Sequence, residues 1–206
     1  RRIFASMLAN MDNSVGAILD KLREKKLDKN TLVFFISDNG GPTAELTSSN
    51  KPLRAGKGSV YEGGLRVPFL AQWKGTLPKG KIYREPVISL DVFATAASLA
   101  GAKLNKRKAY DGVDLVPHLT GKNKDRPHEQ LFWRTGNRSA IRVGEWKLLR
   151  NPGRGQSSAW QLYNLTTDIG EQHNLADQNP DKVKELLAAY EKMNSKMIEP
   201  VWTARR

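Results

Sequence analysis

The sequence contains no cysteine and only three histidines among its 206 residues. The lack of cysteine excludes disulfide bonds and thiolate metal sites, and it leaves the redox compartment unreadable. Long apolar runs are also absent, so neither a membrane-spanning helix nor a signal peptide can be recognised. The first residue is Arg1 rather than methionine, and we therefore expect the chain to begin within a longer protein.

Acidic residues are scarce relative to basic ones: 21 Asp and Glu stand against 34 Lys and Arg, which gives a formal net charge of +13. Such a balance favours polyanionic partners through long-range attraction. Nucleic acid and sulfated polysaccharide are two candidates, and simple decoration of solvated faces is the alternative. Aromatic and basic residues are not interleaved as on a nucleic-acid platform, which argues against a specific nucleic-acid partner.

The densest chemical signal lies between Thr31 and Pro68. Residues 31–36 form a β-branched and aromatic run that ends in Asp-Asn-Gly-Gly, which predicts a strand buried on both faces. Open α/β sheets bind ligands beyond the carboxyl ends of their strands. The side-chain oxygens of Asp38 and Asn39 are hard donors suited to Ca²⁺ or Mg²⁺. Taken alone, the same tetrapeptide is an ordinary turn.

A second glycine-rich motif follows at residues 56–68 and reads GKGSVYEGGLRVP. Lys57 lies between two glycines, so the backbone can come close to a ligand while the cation reaches toward it. Together the two motifs resemble those of the formylglycine-dependent sulfatases of the alkaline-phosphatase superfamily. The resemblance implies that Asp38 and Asn39 bind the active-site calcium and that Lys57 is a catalytic residue in contact with the sulfate.

The resemblance covers nearly all of this sequence but only the C-terminal part of a sulfatase. In that family the formylglycine nucleophile is made from Cys or Ser in a Cys/Ser-x-Pro/Ala-x-Arg motif, and no such motif is present; residues 49–54 have the wrong spacing. Calcium takes about six to eight oxygen ligands, so two residues cannot hold it tightly. The resemblance therefore implies that calcium is shared with an N-terminal portion of the same enzyme, and we predict that this chain alone is inactive.

Hydrophobic periodicity predicts the helices and a second strand of the first part. Apolar residues recur at three- and four-residue intervals from Ile3 to Leu22, typical of an amphipathic helix whose apolar face packs on a core. Residues 67–73 read as the second strand. Ser89 is a candidate N-cap for a buried helix over 90–100.

From about Leu119 the pattern changes to short strands separated by turns. A final helix opens at Asn179-Pro180, with Asn179 as the cap. The turns fall at 144–145 and 153–158, and the predicted strands cover 131–133, 139–143, 146–150 and 160–165.

The predicted fold class is therefore α/β. Part of an alkaline-phosphatase-like mixed sheet with flanking helices occupies residues 1–118, as the C-terminal part of the catalytic domain. A small α+β subdomain with a four-stranded antiparallel sheet and a C-terminal helix occupies residues 119–206.

The three histidines, His118, His128 and His173, share no metal-ligand spacing and are expected to be ordinary surface or loop residues. The resemblance implies hydrolysis of a sulfate monoester on a sulfated small molecule or glycan, in a periplasmic, secreted or lysosomal location. Two alternatives stay open: a phosphodiesterase or phosphonate hydrolase of the same superfamily, and a non-catalytic basic module that binds acidic glycans.

Overall fold

The computed structural model describes residues 2–43, 48–105, 107–153 and 159–199. The chain forms two compact units: Arg1–Ser37 with Pro68–His128, and Asp38–Val67 with Glu129–Arg206. We call them unit 1 and unit 2. The domain boundary predicted between residues 118 and 119 stays a prediction.

The described residues of unit 1 form three helices and a two-stranded sheet. In chain order the elements are α1 (Arg2–Glu24), β1 (Val33–Ile36), β2 (Phe69–Gln72), α3 (Leu90–Leu99) and α4 (Val116–Thr120); α2 belongs to unit 2. The strands β1 and β2 are antiparallel, and Phe34 packs edge-on against Phe69 with ring centroids 5.8 Å apart.

The apolar face of α1 is exposed, contrary to the prediction that it packs on a core. The helix forms as its periodicity predicts, but none of its residues is buried, and Ile3 is 79% exposed. The strand β1 likewise falls short of burial on both faces, because Phe35 is exposed. In both cases the reason is that no other element in the described part of unit 1 covers these side chains.

The helix α3 is buried on one face only. Ala94, Thr95 and Ala97 are buried, whereas Leu90 and Phe93 are exposed. The helix is not capped by the Ser89 side chain as predicted, since that side chain makes no capping hydrogen bond. Instead the carboxylate of Asp91 accepts the backbone N–H of Ile88 at 2.8 Å.

Unit 2 is built on a four-stranded antiparallel sheet, as predicted. Its strands are neighbours in chain order: β3 (Gln130–Thr135), β4 (Arg138–Val143), β5 (Trp146–Arg150) and β6 (Gln161–Asn164). The turn between β4 and β5 is Gly144-Glu145, and Gly144 adopts a φ of +57°, in the left-handed region that glycine enters without strain. Of the turn predicted at 153–158, residues 154–158 lie outside the described residues.

Apolar side chains cover both faces of this sheet. On one face Ile141, Leu148 and Leu162 pack against α5 (Pro180–Asn194), the predicted C-terminal helix, which begins with Pro180 at its first turn. The side chain of Asn179 does not cap this helix as predicted, since it makes no capping hydrogen bond. On the other face Ala140, Leu149 and Tyr163 pack against Val60 and Tyr61, next to the short helix α2 (Glu62–Leu65). Successive residues alternate between the two faces, as strand geometry requires.

In the described residues, no helix combines the length and the apolar character that spanning a bilayer would need.

The loop between β6 and α5 is closed by the carboxylate of Asp168. It accepts the backbone N–H groups of Gln172 and His173, each at 2.8 Å. Burial acts to raise the pKa of Asp168, but the hydrogen bonds from the N–H groups of His173 and Gln172 outweigh it, so this pKa lies below its ordinary value.

We predict that Asp168→Asn destabilises the protein by about 1 kcal/mol near neutral pH, because the ionised carboxylate accepts both N–H groups. A depressed folded-state pKa contributes stability above the unfolded value and loses it as the pH falls through the folded value. The difference in Tm between variant and parent should therefore shrink between about pH 5 and pH 3. Asp177→Asn, at an exposed position in the same segment, serves as the control. A Tm difference that does not change with pH would contradict the assignment.

Candidate active site

The acid–amide turn, residues 38–41, follows the end of β1. Its Asp38 is exposed and its Asn39 is half-buried. The amide Nδ2 of Asn39 donates a hydrogen bond to the carbonyl oxygen of Gly40 at 3.0 Å, which orients the amide group. The turn therefore presents a carboxylate and an amide, both of which are oxygen donors of the kind that Ca²⁺ takes.

The lysine turn, residues 56–59, carries Lys57 as an exposed side chain. The N–H of Ser59 donates to the carbonyl oxygen of Gly56 at 3.0 Å, and Gly58 has a φ of +81°. The guanidinium of Arg138 on β4 donates to the carbonyl oxygen of Gly58. A second cationic side chain thus contacts the backbone of this turn.

Backbone hydrogen bonds hold the acid–amide turn close to the lysine turn. The N–H of Lys57 donates to the carbonyl oxygen of Gly41 at 3.3 Å. The N–H of Gly40 donates to the carbonyl oxygen of Gly64 at 3.1 Å, in the helix α2 that follows the lysine turn. This approach needs glycine, because a Cβ at Gly56 would stand 2.2 Å from the carbonyl oxygen of Gly41. The approach of the acid–amide turn to α2 needs glycine as well, because a Cβ at Gly40 would stand 1.7 Å from the carbonyl oxygen of Gly63.

All three residues that the sequence predicts for the site, Asp38, Asn39 and Lys57, therefore lie on two turns that are in backbone contact. Their roles as metal ligands and sulfate contact stay predictions.

Asn50 supports the acid–amide turn and was missed by the sequence analysis. Its side-chain Oδ1 accepts the N–H of Gly41 at 3.0 Å, while its Nδ2 donates to the carbonyl oxygens of Gly41 and Ala55, each at 2.9 Å. One amide thereby ties the acid–amide turn to the segment that leads into the lysine turn. An isolated Asn in a loop carries no sequence signal for such a role.

Arg54 anchors the same segment to the antiparallel sheet. Its Nη1 donates to the hydroxyl of Tyr163 at 3.1 Å and to the carbonyl oxygen of Glu171 at 2.7 Å. Its guanidinium also lies 4.1 Å from the ring centroid of Tyr61, a cation–π contact. Burial raises the pKa of the Tyr163 hydroxyl.

Three charged side chains are buried together where α2 begins. Lys147 of β5 places its Nζ 2.8 Å from Glu62 Oε1 and 2.9 Å from Glu171 Oε1. The side chains of Lys147 and Glu171 are 0% exposed and that of Glu62 is 4% exposed. Burial raises the pKa of Glu171, and the ammonium of Lys147 acts in the opposite direction. We call these residues the charge triad.

Two of the histidines make structural contacts within unit 1. His128 Nε2 lies 2.9 Å from Asp91 Oδ1, at the start of α3, and His118 Nδ1 lies 3.1 Å from the carbonyl oxygen of Asp125. In unit 2, His173 is exposed, with its Nδ1 3.5 Å from Asp168. The expectation of a surface or loop position is wrong for His118, which is buried in α4, whereas His128 and His173 lie in loops.

Across the described ranges of the chain, no three acidic, histidine or cysteine side chains come close enough together to hold a metal ion. Asp38 and Asn39 offer donors of the right chemistry for calcium. Calcium takes about six to eight oxygen ligands, and these two residues supply two of them.

Family comparison extends over almost the whole chain. The sulfatase model matches residues 1–102, and the model for the C-terminal part of N-sulphoglucosamine sulphohydrolase matches residues 56–199. The chain belongs to the sulfatase family. It comprises the C-terminal part of the sulfatase fold, which confirms the predicted fold class and family.

Curated sulfatases from animals are similar to this chain. Human steryl-sulfatase is 39% identical over 137 residues, which are 63% of this chain and 24% of the relative. The N-acetylgalactosamine-6-sulfatase of Canis lupus familiaris is 36% identical over 148 residues, 70% of this chain and 28% of the relative. The arylsulfatase of Hemicentrotus pulcherrimus is 37% identical over 148 residues, 70% of this chain and 26% of the relative.

Two solved structures share the fold of this sulfatase chain at higher coverage. Ps i-CgsB in complex with k-i-k-neocarrahexaose has a TM-score of 0.85 and 34% identity, over 96% of this chain and 44% of that one. A sulfatase described in the metabolism of multiple glycosaminoglycans by Bacteroides thetaiotaomicron has a TM-score of 0.75 and 28% identity, over 90% of this chain and 43% of that one. The chain thus spans less than half the length of the sulfatases that it matches.

We predict that Gly40→Ala disrupts the contact between the acid–amide turn and α2, because its Cβ would overlap the carbonyl oxygen of Gly63. The expected loss is at least about 2 kcal/mol of unfolding free energy, measured by urea denaturation. Gly16→Ala in α1 is the control, since a Cβ there meets nothing within 4 Å and alanine favours a helix. Equal stabilities for the two variants would show that the close approach at Gly40 is not required.

Proposed function

We propose that this chain is part of an enzyme that hydrolyses sulfate monoesters, and that its contribution to the active site is Asp38, Asn39 and Lys57. The observation that carries the proposal is the backbone contact between the acid–amide turn and the lysine turn, through the hydrogen bond from Lys57 to Gly41. The hydrogen bond from Gly40 to Gly64 also holds the acid–amide turn on α2, which follows the lysine turn. The names of the relatives favour a sulfate ester over a phosphate ester.

Lys57 supplies a positive charge that stabilises the negative charge of the substrate and of the transition state. A sulfate monoester carries charge on its sulfuryl oxygens, and further charge develops on the leaving oxygen as the ester bond breaks. An ammonium held in place before the reaction stabilises that charge without reorganisation. Lys57 is exposed on a turn whose backbone is hydrogen-bonded, so its ammonium is available to an incoming anion.

Asp38 and Asn39 would each give one oxygen to a calcium ion, with the remaining ligands supplied by the preceding part of the enzyme. A bound divalent cation neutralises charge on the sulfuryl oxygens. The formylglycine nucleophile would also come from that preceding part, because this sequence has no cysteine and no matching serine motif.

The N-terminal portion of the same enzyme is the proposed cover for the apolar faces of unit 1. Ile3, Met7 and Ile18 on α1, with Phe93 on α3, are all more than half exposed. Apolar surface of this extent is normally buried against a partner. The support for an intramolecular partner is the coverage, since the chain spans 44% of the Ps i-CgsB chain.

The proposed substrate is a sulfated small molecule or a sulfated glycan. The relative named N-acetylgalactosamine-6-sulfatase and the neighbour in complex with k-i-k-neocarrahexaose support a sulfated sugar. A net charge of +13 also favours anionic substrates through long-range attraction. A periplasmic, secreted or lysosomal location stays a prediction.

In the full-length enzyme, Lys57→Ala should lower kcat for an aryl sulfate by about a hundredfold or more, because a preorganised charge is lost from the transition state. The fold should be retained, since the Lys57 side chain is exposed. Lys79→Ala, at an exposed position in unit 1, is the control and should leave kcat unchanged. If the two variants turn over at similar rates, Lys57 has no catalytic role.

We expect this chain by itself to show no turnover and only weak calcium binding, because two oxygen ligands fall well short of what calcium takes. Isothermal calorimetry with Ca²⁺ measures the binding, and Asp38→Ala should remove the residual heat. Tight binding by the isolated chain, or its turnover of an aryl sulfate, would count against a shared site.

A basic module without catalysis would instead bind acidic glycans with a steep salt dependence that survives Asp38→Ala and Lys57→Ala.

A further inference from the structure

The charge triad buries more negative than positive charges. Two carboxylates, Glu62 and Glu171, share the one ammonium of Lys147 at 2.8 and 2.9 Å, and all three side chains are almost fully buried. Arg66 approaches Glu62 at 3.9 Å, but its side chain is 55% exposed. Removing charges from water is costly, and a well-packed apolar cluster in the same space is often as stable or more so. Stability alone is therefore a weak reason for these three residues.

Apolar packing around the triad already holds this part of unit 2 together. Val60 and Tyr61 pack on Leu149 and Tyr163, on the same face of the sheet as Lys147. The triad fixes the orientation of the segments that this packing brings together. Charge-assisted hydrogen bonds require a particular geometry, whereas the hydrophobic effect is non-directional.

Glu171 connects the triad directly to the backbone of α2. Its Oε2 accepts the N–H of Glu62, the first residue of that helix, at 2.6 Å. Glu171 also adopts a φ of +51°, in the left-handed region that residues other than glycine enter with strain. A strained backbone persists where the surrounding contacts hold it, so the position of this carboxylate is closely determined.

The first turn of α2 leads from the triad to the candidate site. Two residues after Glu62, the carbonyl oxygen of Gly64 accepts the N–H of Gly40 in the acid–amide turn at 3.1 Å. The N–H of Gly63 donates to the carbonyl oxygen of Arg54, in the segment that leads into the lysine turn, at 2.9 Å. A shift of α2 would therefore move both turns.

We propose that Lys147, Glu62 and Glu171 act as positioning residues, which orient α2 and thereby set the place of Lys57 relative to Asp38 and Asn39. This inference rests on the proposed sulfatase function of that site. It assigns the antiparallel sheet a part in catalysis, since Lys147 lies on its strand β5 and Glu171 on the loop after β6.

The decisive variant is Glu62→Gln in the full-length enzyme. It leaves Lys147 paired with one carboxylate, so the buried charges become equal and the fold is expected to be as stable as the parent. The side chain can still reach Lys147, but it no longer does so as a charged partner. We expect kcat to fall by about tenfold or more with KM changed by less than about threefold, the pattern of a group that acts only in the transition state.

Tyr190→Phe is the matched control for ordinary structural loss. It removes a buried hydroxyl that donates to Ser139 Oγ at 2.8 Å, on the opposite face of the same sheet. A variant that acts only through stability should lower Tm and leave kcat unchanged when assayed well below Tm. Tyr190→Phe should therefore lower Tm and leave kcat unchanged. Glu62→Gln should lower kcat and leave Tm unchanged.

The link to Lys57 is tested by repeating Glu62→Gln in the Lys57→Ala background. If the triad acts by placing Lys57, its effect on kcat in that background should shrink to less than about twofold, because coupled residues are not additive. An unchanged kcat in Glu62→Gln, or an equal loss with and without Lys57, would overturn the proposal.

Hydrogen exchange separates failure of this inference from failure of the sulfatase proposal. The amides of Gly40 and Lys57 should exchange about tenfold faster in Glu62→Gln than in the parent, and not in Tyr190→Phe, whatever reaction the enzyme performs. A parent enzyme without sulfatase turnover would refute the proposed function alone. Unchanged exchange at both amides would refute the positioning role alone.

Discussion

The close approach of two glycine-rich segments is the constraint on which the candidate site depends. A Cβ at Gly40 would stand 1.7 Å from the carbonyl oxygen of Gly63, and one at Gly64 would stand 2.3 Å from that of Ser59. Neither position has room for a side chain of any kind. Gly40 can therefore approach α2, and Gly64 can approach the lysine turn, because neither residue has a side chain. The same holds between the two turns themselves, since a Cβ at Gly56 would stand 2.2 Å from the carbonyl oxygen of Gly41.

The antiparallel sheet supports this contact by using both of its faces. One face packs against α5 through Ile141, Leu148 and Leu162. Its other face receives the segment around Val60 and Tyr61. The segment 38–67 therefore belongs to the same compact unit as the C-terminal strands, although β2, α3 and α4 separate them in the sequence. A single sheet thus stabilises the C-terminal helix and carries the motif of Lys57.

Features that depend on near neighbours in the chain were predicted well. The helical periodicity of α1, the Gly144-Glu145 turn and the start of α5 at Pro180 are all present in the structure. Two errors concern what an element packs against: the face of α1 is exposed, and Phe35 is not covered. The other errors are local, since neither Ser89 nor Asn179 makes the predicted capping hydrogen bond with its side chain. A pattern of apolar residues indicates that a face needs a partner, but it does not show which segment provides one.

By itself, the sequence determined the three longer helices and the strands, but not the short helices α2 and α4. It also determined the two motifs and the three candidate residues Asp38, Asn39 and Lys57, because periodicity, turn chemistry and motif spacing are local properties. Only the tertiary structure decided which residues support them. Asn50 and Arg54 bind backbone carbonyl groups, and the charge triad joins residues of α2, β5 and the loop after β6. Such contacts leave no local pattern, since a buried lysine and a solvated lysine look the same in a sequence until folding places a carboxylate beside one of them.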